Sequence, residues 1–189
     1  PALKKWAFGL LAISFVRLAL NPAVFEYHPR SALPIMNWYL YGYGTVILCL
    51  LFAAYLWRPR LEKWFDRSVT SVLKGMAAVL SFLILNIEIA DFYSTGATLT
   101  FEFGHSLAQD LTYSLAWALF GFVLLVIGIR YESKLTRLAS LGLISVTTLK
   151  LFVYDVWNLD QLYRVGAFVG LAVILVLVSS LYQKYLDLR

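Results

Sequence analysis

Residues 108–129 read AQDLTYSLAWALFGFVLLVIGI, a stretch with no Lys, Arg or Glu and a single Asp close to its start. Residues 165–183, VGAFVGLAVILVLVSSLYQ, contain no charged side chain. A helix of about 20 apolar residues is long enough to cross a hydrocarbon core about 30 Å thick. These two stretches therefore indicate a protein that spans a membrane.

The composition of the whole chain excludes a soluble globular domain. Of its 189 residues, 61% are hydrophobic and 14% charged, against about 45–50% and about 25% in soluble domains. The net charge of +5 would favour nucleic-acid binding in a soluble protein, but cationic loops orient membrane helices, so we expect no nucleic-acid partner. The single cysteine, Cys49, excludes an intrachain disulfide or a cysteine metal cluster. We therefore predict no metal and no cofactor.

Apolar runs and their polar breaks predict an all-α, polytopic transmembrane helix bundle with about six spans. Prolines interrupt the first and second connections, where a helix would be broken. The chain begins with Pro1 rather than Met, so we expect it to be part of a larger membrane protein. Residues 1–189 are taken as a single transmembrane module, with the spans at about 5–21, 36–57, 72–93, 108–129, 136–155 and 162–184.

The distribution of basic residues predicts the orientation of this bundle. With six spans, both termini and the second and fourth connections share one side of the membrane. That side holds twelve of the sixteen Lys and Arg residues, so the positive-inside rule predicts cytoplasmic termini. Seven carboxylates against four cations, together with His28 and His105, belong to the other half. The two histidines are interpreted as loop residues, since neither has a ligand partner at metal-binding spacing.

Charges deep in the spans need a partner or a function. At 1.5 Å per residue, Arg17 lies about 18 Å, Lys150 about 21 Å and Glu88 about 24 Å along their spans. A lone charge at the centre of a membrane helix costs about 2.5–3.5 kcal/mol. Pairing between helices would remove much of this cost, and the spacing of Glu88 and Asp91 places both on one helix face. We predict one polar cluster in the outer leaflet, formed by Arg17, Glu88, Asp91, Lys150, Tyr154, Asp155, Tyr163 and Arg164.

Each of these features also has a purely structural interpretation. The three cations, Arg17, Lys150 and Arg164, could form a salt-bridge network that fixes helix register. Glu88 and Asp91 could be carboxylates that reach the aqueous interface. Small residues could permit close helix packing, and the candidates are Gly42 with Gly44 and the GxxxG pair Gly166 and Gly170.

The C-terminal third carries a distinctive arrangement of polar residues. Residues 136–186 read TRLASLGLISVTTLKLFVYDVWNLDQLYRVGAFVGLAVILVLVSSLYQKYL, with Lys150, the pair Tyr154-Asp155 and the pair Tyr163-Arg164. This block resembles the end of the bacterial family called domain of unknown function 2339. The resemblance extends to YSLAWALFGFVLLVIGIR and, more loosely, to VRLALNPAVFEY and NWYLYGYG upstream.

Members of that family look like large inner-membrane proteins with many spans. The resemblance implies that this chain is the C-terminal block of such a polypeptide in the bacterial inner membrane. It implies no reaction, so Lys150, Asp155, Tyr163 and Arg164 carry over as a polar motif without a role.

Three functions remain open from the sequence. The cluster could bind or transfer an anionic or polyhydroxylated envelope component, such as a lipid head group or a glycan. Its cations would then bind phosphate or carboxylate, while Glu88 and Asp91 accept hydrogen bonds from hydroxyl groups or act as a base. Alternatively, it belongs to a transport pathway, with Glu88, Asp91 and Lys150 changing protonation. In the third hypothesis the bundle is a scaffold for partners, with every charge paired. Whether the protein is an enzyme stays open.

Overall fold

A computed structural model shows an all-helical chain. It describes residues 2–21, 36–57, 64–94, 96, 99, 106–152 and 161–187. The six predicted helices are all confirmed, and no strand occurs among the described residues. The helices are α1 (Ala2–Leu20), α2 (Trp38–Leu56), α3 (Trp64–Tyr93), α4 (Leu107–Arg130), α5 (Lys134–Lys150) and α6 (Gln161–Asp187).

The helices form two compact units, residues 1–101 and 102–189. In unit 1, α2 packs along α3, and α1 contacts both. The core between α2 and α3 consists of large apolar side chains, among them the fully buried Leu50, Leu73 and Leu80. The Tyr43 hydroxyl donates a 2.7 Å hydrogen bond to the Leu18 carbonyl oxygen, which ties α2 to α1. The end of α1 therefore lies beside the start of α2.

In unit 2, α4 and α5 form a tight antiparallel hairpin. The Ser133 hydroxyl caps α5 by accepting from the Thr136 N–H, and the Ser133 N–H donates back to the Gly128 carbonyl oxygen at 2.9 Å. Glu132, in the turn, adopts a left-handed φ of 51°. A Cβ atom on Gly128 would lie 2.9 Å from the Arg137 backbone nitrogen. Glycine is therefore required where the two helices meet.

Glycines bring α4 and α5 together further along the hairpin as well. A Cβ atom on Gly121 would lie 2.8 Å from the Ile144 side chain. By contrast, Cβ atoms on Gly42, Gly44, Gly166 and Gly170 would meet no atom within 4 Å. The glycine pairs that the sequence suggested for close packing are therefore not the ones that pack helices in the described part of the chain.

The surface of α5 has the polarity of a helix that faces lipid. Its buried residues are Arg137, Ser140, Ile144 and Thr147, three of them polar. Its exposed side chains include Leu135 at 74%, Leu138 at 70% and Leu149 at 64%. A helix in water buries its apolar face, whereas here the polar stripe is turned inward and the apolar face outward.

Length and composition identify the strongest membrane spans. Among the described residues, three helical segments are long and apolar enough to cross a bilayer: Trp38–Leu56, Val69–Tyr93 and Ala108–Arg130. A shorter apolar segment, Phe168–Lys184, lies in α6. Of the other two predicted spans, α1 carries the charges Lys4, Lys5 and Arg17, and α5 has only 17 residues.

Candidate functional site

Two carboxylates in unit 1 are held by one amide. The Asn37 Nδ2 atom donates to Glu88 Oε2 and to Asp91 Oδ2, both at 3.1 Å. Asp91 and Asn37 are buried, with 3% and 7% of their surfaces exposed, and Glu88 is half-buried. These three residues, which we call the amide–carboxylate site, join the start of α2 to the last turns of α3.

The orientation of the Asn37 amide follows from its second role. Its Oδ1 atom accepts a 2.8 Å hydrogen bond from the Leu40 N–H and so caps α2. The NH2 group must therefore face the carboxylates, because a reversed amide would lose the cap. The site presents carboxylate oxygens as acceptors, and Glu88 Oε1 is buried with no hydrogen-bond partner in the part of the chain that the structure describes.

Exposed aromatic rings lie next to the residues of this site in sequence. Trp38 directly follows Asn37 and is 43% exposed, and Tyr41, one turn later, is 66% exposed. Their ring centroids are 5.8 Å apart. On α3, Phe92 follows Asp91 and is 68% exposed. Carboxylate acceptors and exposed aromatic faces thus occur at the same end of the α2–α3 pair.

A second polar group lies in unit 2, where the end of α5 meets the start of α4. The Lys150 ammonium donates to Ser114 Oγ at 3.0 Å and approaches the Asp110 carbonyl oxygen at 3.5 Å. Ser114 and Asp110 are buried, at 1% and 6% exposure. We call these three residues the lysine site. Ser106, which directly precedes α4, caps this helix: its hydroxyl oxygen accepts a hydrogen bond from the Gln109 N–H.

Asp110 is a buried carboxylate without full hydrogen bonding. Its Oδ1 atom has no hydrogen-bond partner among the described residues. Asp110 is in the first turn of α4, where the helix dipole favours a negative charge. A buried acceptor left unsatisfied costs about 1–3 kcal/mol, so a hydrogen bond to this oxygen would stabilise the site.

The eight residues predicted to form one cluster are distributed as follows. Glu88 and Asp91 do share a helix face and come together on Asn37 in unit 1. Arg17 is exposed in the last turn of α1, and Lys150 is in unit 2. Tyr154 and Asp155 lie outside the described residues, as do the side chains of Tyr163 and Arg164 at the start of α6. A single cluster joining all eight stays a prediction.

Sequence reasoning missed the residues that complete both sites. Asn37 stands immediately before an apolar run, which is the pattern of a helix N-cap, and that signal would have found it. Ser114 carried no comparable signal, since a lone serine in an apolar helix has many possible roles. Asp110 was counted among the outer charges but was not assigned to a site.

Comparisons with known proteins place the chain in a family without adding a function. Searches of curated proteins and of solved structures found no match. A family model described as "Predicted membrane protein (DUF2339)" matches residues 3–185, nearly the whole chain. Because the match covers both units and all six helices, the chain belongs to the DUF2339 family of predicted membrane proteins.

Proposed function

We propose that this multi-pass protein of the bacterial inner membrane binds the hydroxyl-bearing head group or glycan of an envelope component at the amide–carboxylate site. The observation that carries the proposal is the fixing of Glu88 and Asp91 side by side by Asn37. Because the amide holds one oxygen of each carboxylate, the acceptors are preorganised before a ligand arrives. Glu88 Oε1, which lacks a donor among the described residues, is the acceptor we assign to a ligand hydroxyl.

Charge supports a periplasmic location for this site. The excess of Lys and Arg in the predicted inner half favours cytoplasmic termini. In that orientation the start of α2 and the end of α3 face outward, together with Asn37, Glu88 and Asp91. The amide–carboxylate site would then meet envelope components at the level of the outer head groups.

The exposed aromatic side chains support a sugar as part of the ligand. Trp38, Tyr41 and Phe92 present large apolar faces at the same end of the α2–α3 pair as the carboxylates, which can accept hydrogen bonds from hydroxyl groups. Aromatic rings also favour membrane interfaces in general, so they support the proposal without carrying it. Membrane lipids, and the rest of a larger membrane polypeptide, are the other partners that we propose. The anion-binding role predicted for Arg17, which belongs to the same unit, would serve a charged part of this component.

A structural scaffold is the second candidate function. Asn37 uses its amide nitrogen and its oxygen in hydrogen bonds within the protein, as expected of a residue that fixes helix register. Under this hypothesis the carboxylates stabilise the α2–α3 pair and bind nothing. The two functions differ in whether a ligand competes for Glu88.

Binding of a defined glycolipid separates the two candidates. The protein would be purified in detergent, and monoglucosyl diacylglycerol, or diacylglycerol as the sugar-free control, would be added during native mass spectrometry. We expect the glycolipid to be retained, and Glu88→Gln to weaken its retention about tenfold, the effect of losing one hydrogen bond to a charged group. Glu132→Gln, the same change in the α4–α5 turn, should leave retention unchanged.

Equal retention of both lipids would contradict the proposal. A loss of thermal stability in Glu88→Gln with no difference in lipid retention would support the scaffold instead. Glu88→Gln keeps the shape of the side chain and an oxygen for Asn37, so it changes the free acceptor more than the fold.

A further inference from the structure

The lysine site combines a cation from α5 with an acidic residue of α4. The Lys150 ammonium is 3.0 Å from Ser114 Oγ and 3.5 Å from the Asp110 carbonyl oxygen. Asp110 and Ser114 are four residues apart, so their side chains lie on the same face of α4. Lys150 of α5 therefore lies against the turn of α4 that carries Asp110 and Ser114.

The carboxylate of this site is short of a donor. Asp110 is 6% exposed, and its Oδ1 has no hydrogen-bond partner in the described ranges. Tyr113 and Gln109, the neighbouring polar side chains of α4, are buried as well. A ligand for this site would bring an N–H or O–H donor to Asp110 while tolerating the charge of Lys150.

We propose that the lysine site binds the head group of an aminophospholipid, with its phosphate at Lys150 and its primary ammonium donating to Asp110. A free anion would be repelled by Asp110, and a free cation by Lys150. A zwitterion places an opposite charge beside each of them, which is the complementarity that specific recognition requires.

The buried Asp110 carboxylate selects the type of ammonium, because its Oδ1 atom needs an N–H or O–H donor. A primary ammonium is compact and carries three N–H donors. A trimethylammonium group is larger and has no N–H, so it cannot satisfy the Asp110 oxygen. The site should therefore discriminate phosphatidylethanolamine from phosphatidylcholine, although the two lipids carry the same net charge.

The surroundings of the site favour a lipid over a soluble zwitterion. Asp110 is about 4.5 Å along the axis from the start of α4, at the edge of the span Ala108–Arg130, which is the level of lipid head groups. Apolar side chains next to the site are exposed, with Leu115 at 53% on α4 and Leu149 at 64% and Phe152 at 51% at the end of α5. Acyl chains of a bound lipid would cover these side chains.

Competition between the two phospholipids tests the proposal. The delipidated protein in detergent would be titrated with phosphatidylethanolamine or with phosphatidylcholine of identical acyl chains, and bound lipid counted by native mass spectrometry. We expect phosphatidylethanolamine to bind about tenfold more tightly, the effect of one hydrogen bond to a charged group. Glycerophosphoethanolamine, which has the head group without acyl chains, should bind far more weakly than the lipid.

Substitutions in the lysine site test whether the lipid binds there. Asp110→Asn should abolish the preference for phosphatidylethanolamine, and Lys150→Met should weaken the binding of both lipids. Glu132→Gln and Lys134→Met remove one negative and one positive charge at the opposite end of the α4–α5 hairpin. They should change neither the lipid preference nor the affinity for the two lipids. Equal binding of the two lipids by the wild-type protein, a result that needs no variant to fold, would overturn the proposal. An unchanged preference in Asp110→Asn would overturn it too, as would glycerophosphoethanolamine binding as tightly as the lipid.

Discussion

Between α2 and α3 the contact consists of large apolar side chains such as Leu50, Leu73 and Leu80, whereas α4 and α5 meet at Gly121 and Gly128. In the α2–α3 pair the buried polar links lie at the two ends, through Asn37 at one end and through the Thr70 hydroxyl, which donates to the Trp57 carbonyl oxygen, at the other. The α4–α5 pair instead carries a stripe of buried polar residues along its length, including Ser114, Ser140 and Thr147. In a membrane there is little hydrophobic drive between helices, so both close approach through small residues and polar links can hold a pair together.

This difference predicts different sensitivities to substitution. The α2–α3 pair should depend strongly on Asn37 and tolerate added methyl groups at its glycines. The α4–α5 pair should tolerate the loss of a single polar residue better than an added methyl group at its glycines, because its backbones approach so closely. Each experiment below measures the free energy of unfolding in detergent, beginning with the largest expected effect.

Asn37→Ala should destabilise the protein by about 2–4 kcal/mol. The substitution removes a helix cap, worth about 1 kcal/mol, and leaves the buried Asp91 and half-buried Glu88 without their amide donor, at about 1–3 kcal/mol. Ser106→Ala is the matched control, since Ser106 caps α4 and should cost only the cap. Equal losses in the two variants would show that Asn37 does not link α2 to α3.

Gly128→Ala should lower the unfolding free energy by about 1–3 kcal/mol, the usual cost of overpacking. The added Cβ atom would lie 2.9 Å from the Arg137 backbone nitrogen, which cannot move without displacing α5. Gly42→Ala is the control, because nothing lies within 4 Å of its Cβ position. That control should be neutral or stabilising by up to about 1 kcal/mol, since alanine favours helix. A neutral Gly128→Ala would refute the close α4–α5 contact.

Ser114→Ala should cost about 1–2 kcal/mol, because the Ser114 hydroxyl accepts from the charged Lys150. Thr147→Val provides the comparison within the same polar stripe. The Thr147 hydroxyl donates to Leu143 of its own helix, so its loss breaks no link between helices and should cost less. The reverse order would mean that the stripe stabilises α5 itself rather than its contact with α4.

Glu132→Gly should stabilise the hairpin by about 1 kcal/mol, the smallest effect of the four. Glu132 has a φ of 51°, a left-handed conformation that costs a residue with a Cβ atom about 1–2 kcal/mol and glycine almost nothing. Glu132→Ala keeps the Cβ atom and should give no gain. If both variants were equally stable, removal of the charge rather than relief of the backbone would explain the change.

Much of the secondary structure could be predicted from the sequence. The predicted spans 36–57 and 108–129 agree with α2 and α4 to within two residues at each end. The third predicted span began at residue 72, whereas α3 begins at Trp64. The eight additional residues include Asp66 and Arg67, and a search for apolar runs stops at such charges although a helix does not.

The candidate sites were predicted only in part. The spacing of Glu88 and Asp91 placed them on one face, and they do share a partner. Their partner, Asn37, is 51 and 54 residues away in sequence, and no local pattern links the three. In the same way, Lys150 was identified as a buried charge in need of a partner, but its contact with Ser114 depends on the register of α4 against α5.

The amino-acid sequence is enough to establish a helical membrane protein, and the residues that the structure describes form six helices. The physical reason is that apolar segments of this length satisfy their backbone hydrogen bonds internally only as helices. The tertiary structure decided which polar groups meet and which glycines lie between helices. Gly121 and Gly128 resemble Gly42 and Gly44 in sequence, and only the packing of α5 against α4 distinguishes them. A polar residue in a membrane helix needs a partner for energetic reasons, but the fold alone selects which one.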